Sequence, residues 1–318
     1  MTATASLAAW AGRLAAADPD AIRAPYRGYG ETWLRVAAAV AAAGARARAH
    51  VLGASHGGEP LWAVEVDPPG LARADRPATL VIAGLHAMEH VGVATAVALV
   101  ERAAAPDTPW RDHRLAVMPM VNPDGFRAVE AGLARGARRF WRANARGVDL
   151  NRNFAVAWDD RYLLNRLGLF APGESALSEP ETRAVDALCA RVRPRHAVSL
   201  HAFGEWIFLP YAGSRREPRE RARLEEIAGA MTAAQPHRPY RIAQLSRRSR
   251  FFQARGAEID HFLDRHGALS FLVEIGAGPR LGQPSTWLEP YGWFNPPAHL
   301  LERDIGNVLP AIERLATI

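Results

Sequence analysis

The sequence predicts a layered α/β fold. Short apolar runs with the length of buried strands alternate along the chain with longer segments of helical pattern. Hydrophobic residues make up 49% of the 318 residues, which is enough for one large domain with a full core, or for two small domains at most. We find no internal repeat and no linker composition that would divide the chain. We therefore expect one α/β domain over residues 1–318.

The first part of the chain is predicted to contain helix, hairpin, strand, helix and strand in that order. Residues 1–45 are expected to form a helical segment that packs on the domain. Ser55-His56-Gly57-Gly58 has the composition of a tight turn, so the strands on either side of it are expected to form a hairpin. The predicted elements are strands at 46–54, 60–67, 78–84 and 115–121 and a helix at 91–103. The last strand ends in four turn formers, Asn122-Pro123-Asp124-Gly125.

The second part begins with a long segment, residues 126–176, that is rich in Arg and Asn and has no regular pattern. A connection of that length inside a compact domain is typically functional. Ser178 is expected to be the N-cap of the next helix, with Glu181 completing a capping box. The remaining predicted elements are strands at 197–200 and 268–273 and helices at 217–234, 258–266 and 298–315.

The formal net charge is +6, and all of the basic residues are arginine. Clusters lie between Arg135 and Arg142 and at Arg247, Arg248 and Arg250. No helix-turn-helix, aromatic RNA-binding pattern or zinc finger accompanies them, so we expect no nucleic-acid partner. A solvated basic surface, or a rim that attracts an anionic substrate, is the favoured interpretation.

The single cysteine excludes an internal disulfide framework and any cysteine-rich zinc module. Cys189 lies in a run of helix formers and is expected to be a small core side chain. The N-terminus lacks a basic stretch ahead of its apolar run, which Arg13 ends, so we expect an amphipathic surface helix rather than a secretory signal. No stretch has the length of a membrane span. The expected setting is a cytoplasmic enzyme without a membrane partner.

The chemistry of the chain is concentrated where predicted strands end. His86 and Glu89 follow the strand at 78–84. An imidazole and a carboxylate at that spacing can point at one cation, and zinc accepts such a mixed set of nitrogen and oxygen ligands. His201 and Glu274 each follow another buried strand. Because ligands gather at the carboxyl ends of strands in α/β sheets, these side chains are expected to converge.

The chain resembles the zinc carboxypeptidase family, the carboxypeptidase A/B-type metallopeptidases, in seven motifs that occur in the family's order. These are His86-x-x-Glu89, Asn122-Pro123-Asp124-Gly125-Phe126, Trp141-Arg142, Gly147-Val148-Asp149-Leu150-Asn151-Arg152-Asn153-Phe154, Ser178-Glu179-Pro180-Glu181, Ser199-Leu200-His201 and Phe271-Leu272-Val273-Glu274. They cover roughly residues 50 to 280. The resemblance implies a mixed, mostly parallel twisted sheet with helices on both faces, in a bacterial-type member without a signal peptide.

The resemblance also implies one zinc ion per chain and a role for each matching residue. His86, Glu89 and His201 would be the zinc ligands, with water in the fourth position. Asp149 would orient a ligand histidine and fix its tautomer.

Four further residues would act on the substrate. Glu274 would be the general base that takes a proton from water and returns it to the leaving amine. Arg142, together with zinc, would stabilise the oxyanion. Asn151 and Arg152 would hold the terminal carboxylate of the substrate.

The sequence departs from digestive-type members of the family around the substrate. Met88 replaces an arginine that helps to draw in the substrate, and Phe252 replaces a tyrosine that caps the bound terminal residue. Ile259, at the position resembling the base of the specificity pocket, suggests an apolar floor. Arg247 and Arg248, which are near Ile259 in the sequence, would instead favour an acidic side chain of the substrate. The sequence does not decide between an apolar and an acidic preference.

A rival interpretation uses the same turn. His86-Ala87-Met88-Glu89-His90 also fits H-x-x-E-H, in which both histidines are ligands and the glutamate is the base. That chemistry requires a helix, whereas Gly84 and the strand before it indicate that helix begins only near Glu89 or later.

We therefore predict a zinc-dependent metallocarboxypeptidase that cleaves a C-terminal amide bond beside a free carboxylate. An amidase acting on peptidoglycan-derived peptides, or a deacylase of N-acyl amino acids, is the alternative. From a different class, an inactive binding module would keep the pocket, but the joint presence of His86, Glu89, His201 and Glu274 speaks against it. The sequence does not indicate the leaving residue or the oligomeric state.

Overall fold

The computed structural model describes residues 3–16, 25–68, 76–137, 140–159, 162–248, 253–279 and 289–318. Within these residues, eight strands form one sheet. The strands are β1 (Ala47–Ala54), β2 (Pro60–Val66), β3 (Ala78–Ala83), β4 (Arg114–Met118), β5 (His196–His201), β6 (Trp206–Leu209), β7 (Arg241–Gln244) and β8 (Leu269–Glu274). Their order across the sheet is β1-β2-β4-β3-β5-β8-β6-β7.

The four middle strands are parallel, and the outer strand pairs join them through antiparallel pairings. Strands β4, β3, β5 and β8 run in one direction and pair in parallel. The hairpin β1–β2 joins β4 in antiparallel fashion, and β6 joins β8 in the same way while pairing in parallel with β7. The predicted mixed, mostly parallel sheet is therefore confirmed.

Helices cover both faces of the sheet. The described helices are α1 (Ala3–Ala15), α2 (Tyr29–Ala43), α3 (His90–Ala104), α4 (Pro123–Ala134), α5 (Leu163–Arg166), α6 (Pro180–Val192), α7 (Arg221–Ala233), α8 (Glu258–His266), α9 (Pro290–Phe294) and α10 (Ala298–Glu313). Trp33 of α2, Val97 of α3 and Val308 of α10 belong to one apolar core. Leu188 of α6 and Phe262 of α8 belong to a second core. None of the helices described is both long enough and apolar enough to cross a bilayer.

The strand register positions the candidate site. Every residue of β3 and β5 is buried, as their apolar sequences require in a sheet covered on both faces. Ala83 pairs with Leu200, and His201 pairs with Glu274. The last residues of β5 and β8 are thus neighbours at the edge where the turn after β3 begins.

Two local predictions are wrong. Residues 123–134 are helical rather than irregular, because the Asn122 side chain accepts a hydrogen bond from the backbone N–H of Gly125 and Pro123 occupies the first helical position. The capping box is also absent. Helix α6 begins at Pro180 with Glu179 at the N-cap position, and Glu181 accepts the backbone N–H of His56 instead.

Candidate metal centre

The turn after β3 carries His86 and Glu89. Gly84 opens it with φ +66°, and a Cβ there would lie 2.9 Å from a methyl group of Val93, so glycine is required. Helix α3 begins at His90, with Glu89 at its N-cap position. His86 in the turn and Glu89 at the N-cap both direct their side chains inward, and both are buried.

Two buried asparagines hold this turn in place. Asn122 donates from Nδ2 to the carbonyl oxygens of Leu85 and Ala143. Asn295 donates to the Met88 carbonyl at 2.7 Å and accepts the backbone N–H of Val91. Asn295 lies about 200 residues from the turn and no local pattern marks it, so the sequence does not predict its role.

Three side chains converge on one point. Nδ1 of His86 lies 2.7 Å from Oε1 of Glu89, and Nδ1 of His201 lies 2.9 Å from Oε2 of the same carboxylate. The two Nδ1 atoms are 3.1 Å apart. All three residues are buried, and their ligand atoms lie within 4.8 Å of one another.

The opposite nitrogen of each imidazole faces a carboxylate. Nε2 of His86 lies 3.4 Å from Oδ1 of Asp149, and Nε2 of His201 lies 3.1 Å from Oε1 of Glu258. Carboxylates favour protonated Nε2 atoms, so both Nδ1 atoms and the Glu89 carboxylate face the point that a cation would occupy. Two nitrogens with one carboxylate form a donor set that zinc prefers.

The charges around the three donors favour a cation. The imidazoles of His86 and His201 outweigh the effect of burial and hold the pKa of Glu89 far below its ordinary value. Burial disfavours a charged His201, but the Glu89 and Glu258 carboxylates overcome it and raise its pKa to about 10. Positive charge is therefore stabilised at this position.

Asp149 connects the donor set to Arg142. Its Oδ2 accepts the Nε–H of Arg142 at 2.7 Å, and its Oδ1 accepts the backbone N–H of Asn151. Burial alone would raise the pKa of Asp149, but Arg142 and Arg152 hold it well below its usual range. Asp149 is thus an ionised acceptor that can fix the orientation of His86.

Glu258 is a site residue that sequence reasoning did not single out. It is completely buried at the first position of α8, and its backbone N–H donates to Oδ1 of Asn151. An acidic residue in the first turn of a helix is common for local reasons, so the sequence offers no signal that separates this glutamate from an ordinary one. Only the fold brings it to His201.

Glu274 lies at the end of β8, opposite His201 in the register. Among the described residues its buried Oε2 atom has no hydrogen-bond partner. Burial and the neighbouring Glu89 raise its pKa to about 8, against the opposing effect of His201 and Arg142. A buried carboxylate with a free acceptor is suited to take up a proton.

Arg142 lies at the rim of this cluster, with a quarter of its side chain exposed. Burial works against its charge, but the carboxylates of Asp149 and Glu89 outweigh that effect and raise its pKa. The backbone N–H of Ala87 donates to the Arg142 carbonyl, which ties this segment to the His86 turn. A permanent positive charge is thus held beside the donor set.

The residues predicted to bind substrate occupy different settings. Asn151 and Arg152 are buried in a short 3₁₀ turn, where the Arg152 guanidinium lies 4.5 Å from the ring centre of Phe170. Burial lowers the pKa of Arg152 to about 10. Ile259 is completely buried in an apolar cluster that includes Ala212. Phe252 lies outside the described residues.

The other residues considered from the sequence have contacts outside the donor set. Met88 is buried and lines an apolar cavity with Trp141 and Tyr291. Arg247 pairs with Glu217, and Arg248 lies 4.3 Å from the ring centre of Trp206.

The geometry does not fit the H-x-x-E-H interpretation. His86 precedes helix α3, so it is not one helical turn from His90. His90 instead stacks on Phe126 at 4.0 Å, and its Nδ1 lies 2.9 Å from the hydroxyl of Tyr291. Burial lowers its pKa to about 3. His90 is therefore a neutral core histidine.

Comparison with known proteins supports the same assignment. The model of the zinc carboxypeptidase family matches residues 34–308. Murein peptide amidase A of Escherichia coli (strain K12) is 36% identical over 137 residues, which is 40% of this chain and 50% of that protein. Carboxypeptidase A2 of Mus musculus is 27% identical over 225 residues, which is 63% of this chain and 51% of that protein. The matched region thus spans about half the length of these two relatives.

The fold is shared with solved carboxypeptidase structures. Bovine thrombin-activatable fibrinolysis inhibitor, in complex with tick carboxypeptidase inhibitor, aligns with a TM-score of 0.76 and 21% identity over 92% of this chain and 96% of that chain. At this identity the likeness shows the fold alone. Because the family model covers most of the chain, the protein belongs to the zinc carboxypeptidase family, whose members are metal-dependent hydrolases.

Proposed function

We propose that the protein is a zinc-dependent carboxypeptidase that hydrolyses an amide bond next to a free carboxylate. The convergence of His86, Glu89 and His201 around one point carries this proposal. A zinc ion bound there would polarise the scissile carbonyl and lower the pKa of water toward neutrality. We expect one such ion per chain at this centre.

The donor set is held by residues around it. Asp149 and Glu258 would accept the Nε2–H groups of His86 and His201 and so keep both Nδ1 lone pairs available. Ser199 supports the same arrangement, since its hydroxyl lies 2.9 Å from Nε2 of His201. These carboxylates also offset part of the positive charge that the centre would hold.

Glu274 is the proposed general base. Its buried Oε2 would accept a proton from the attacking water and then deliver it to the leaving amine. Arg142 would donate to the carbonyl oxygen as negative charge develops there, while its Nε–H remains bound to Asp149. Both groups lie next to the donor set because β8 and the 142–149 segment meet at this edge of the sheet.

Asn151 and Arg152 are the proposed partners of the substrate carboxylate. Arg152 is a buried cation, and a carboxylate that reaches it would form a charge-assisted hydrogen bond in a medium that screens it poorly. Ile259 is the proposed apolar floor of the leaving-residue pocket. Phe252 lacks the hydroxyl that a tyrosine would offer, so carboxylate recognition would rest on Asn151 and Arg152.

A second candidate function is an amidase that acts on peptidoglycan-derived peptides. The similarity to murein peptide amidase A favours it, because 36% identity is above the 27% shared with carboxypeptidase A2 of mouse. Both candidates use the same centre and differ in the substrate. A deacylase of N-acyl amino acids and an inactive binding module are the remaining alternatives.

A mass-spectrometric screen with zinc-loaded full-length protein tests the proposal. The panel would pair each peptide with its C-terminally amidated form and would include muropeptides and N-acyl amino acids. We expect chelator-sensitive cleavage that requires the free carboxylate. Cleavage of both members of each pair would refute the roles of Asn151 and Arg152, and absence of any cleavage would favour the binding module.

The base is tested with Glu274→Gln, which preserves size but removes the proton acceptor. We expect turnover to fall about 10²–10⁴-fold, as is typical of a lost general base, while bound zinc stays at the wild-type level. Glu226→Gln, at an exposed position of α7, is the matched control and should retain full activity. Wild-type turnover in the Glu274 variant would contradict the assignment.

A further inference from the structure

A second cluster of metal-binding side chains lies between α6 and α8. Oδ1 of Asp186, on α6, lies 2.7 Å from Nε2 of His261 and 2.8 Å from Nε2 of His266, both on α8. The ligand atoms of all three residues lie within 4.8 Å of one another. This cluster shares no residue with the centre formed by His86, Glu89 and His201.

The donors of this second cluster have the same composition as those of the centre formed by His86, Glu89 and His201, which is called the first centre below. Each cluster offers two imidazole nitrogens and one carboxylate, which together suit zinc and related divalent transition metals rather than calcium or magnesium. The separations between carboxylate and imidazole are also alike, at 2.7 and 2.8 Å here and 2.7 and 2.9 Å at the first centre. A tetrahedral zinc site separates its donors by roughly 3.3 Å, so these two separations would each widen by only about half an ångström.

The surroundings favour a cation that enters from solvent. His261 is completely buried, whereas the side chain of His266 is 13% exposed and that of Asp186 is 35% exposed. Burial lowers the pKa of His261, which keeps this imidazole in the neutral form that binds metals. His266 is the last residue of α8, where the helix dipole favours positive charge.

We propose that Asp186, His261 and His266 form a second site for a divalent transition-metal ion of the zinc class. The ion would join α6 to α8, with solvent completing its coordination on the Asp186 side. Helix α8 begins at Glu258, which contacts His201, and His261 and His266 follow about 5 and 12 Å further along the helix axis. The site is therefore structural, and it would stabilise the helix that supports the first centre.

Metal stoichiometry of the full-length protein tests this site independently of catalysis. Metal-free protein would be dialysed against zinc and its bound metal counted by mass spectrometry. We expect two equivalents for the wild type, one for Asp186→Asn, one for His86→Gln and none for the double variant. One equivalent in the wild type, or two in Asp186→Asn, would overturn the proposal.

Cobalt(II) absorption identifies where the remaining ion lies. In His86→Gln we expect a visible d–d spectrum that is lost when His266→Gln is added. The exposed His299→Gln serves as the matched control and should leave the spectrum unchanged. His266→Gln removes a different ligand and leaves Asp186 in place, so it tests the site even where Asp186→Asn does not fold, as circular dichroism would show. A His86→Gln protein that binds no cobalt would refute the second site.

Discussion

The carboxylate of Glu258 and the imidazole of His201 are fully buried partners, with 3.1 Å between Oε1 and Nε2. Glu258 begins α8, and His201 ends β5, so this contact joins a helix to the strand edge that carries the candidate metal centre. A carboxylate behind a ligand histidine fixes the ring and its tautomer and increases its basicity. The contact gives α8 a direct effect on the first centre.

Glu258→Gln should therefore weaken zinc binding. The amide keeps the shape but removes the negative charge that faces Nε2 of His201, and such changes typically cost about 10- to 100-fold in metal affinity. Competition with a chelator of known affinity measures the effect. Glu226→Gln is again the matched control, and an unchanged affinity in Glu258→Gln would show that the contact is not functional.

Arg142→Ala should reduce turnover without removing zinc. Asp149 would still face His86, but the cation next to the developing oxyanion would be lost, which typically lowers kcat about 10²–10³-fold. Kinetics and zinc content measured on the same preparation separate the two effects. Arg219→Ala, at an exposed position, is the control. Loss of zinc together with activity would instead assign Arg142 a role in holding the metal ligands.

Gly256→Ala should be far more damaging than Gly147→Ala. Both glycines have positive φ, at +73° and +78°, so each substitution carries a backbone cost of about 1–2 kcal/mol. A Cβ at Gly256 would also lie 2.2 Å from the Arg152 carbonyl oxygen, whereas at Gly147 no atom of the described residues lies within 4 Å. Thermal denaturation compares the pair, and equal destabilisation would mean that the approach of Gly256 to the 152–154 segment is unimportant.

Stability should fall on acidification because His113 is buried in its neutral form. Burial lowers its pKa from 6.5 to about 4, so the unfolded chain binds more protons between these two pH values. His113 contributes about 3 kcal/mol to the free energy of unfolding. This contribution is complete above pH 6.5 and is lost as the pH falls toward 4. Denaturant unfolding of wild type and His113→Gln across this range measures it. Parallel curves would contradict the assignment.

Much of the fold and of the candidate metal centre could be predicted because the signals are local. The apolar runs of β3, β5 and β8 identify buried strands, and the residues that follow them must meet at one edge of a parallel sheet. This rule alone predicts the convergence of His86, Glu89, His201 and Glu274.

The errors arose where one local pattern has two meanings. Asn-Pro is typical both of a turn and of a helix start, and here the Asn122 side chain caps α4. Glu181 has the spacing of a capping box, but tertiary contacts to His56 and Asn144 take its carboxylate. Local sequence does not reveal such competition.

Residues that act through distant contacts could not be predicted. Asn295 donates a hydrogen bond to Met88 in the turn after β3, which is 207 residues away in the sequence, and Glu258 contacts His201, which is 57 residues away. Asp186 meets the two histidines of α8 only because α6 and α8 pack on the same face of the sheet. No spacing rule anticipates these contacts.

Anomalous diffraction at the zinc edge, on crystals of zinc-loaded full-length protein, tests the central claim most directly. We expect a strong peak bounded by Nδ1 of His86, the Glu89 carboxylate and Nδ1 of His201, with the Glu274 carboxylate facing it. A map with no peak among these three side chains, or a peak coordinated by other residues alone, would contradict the account.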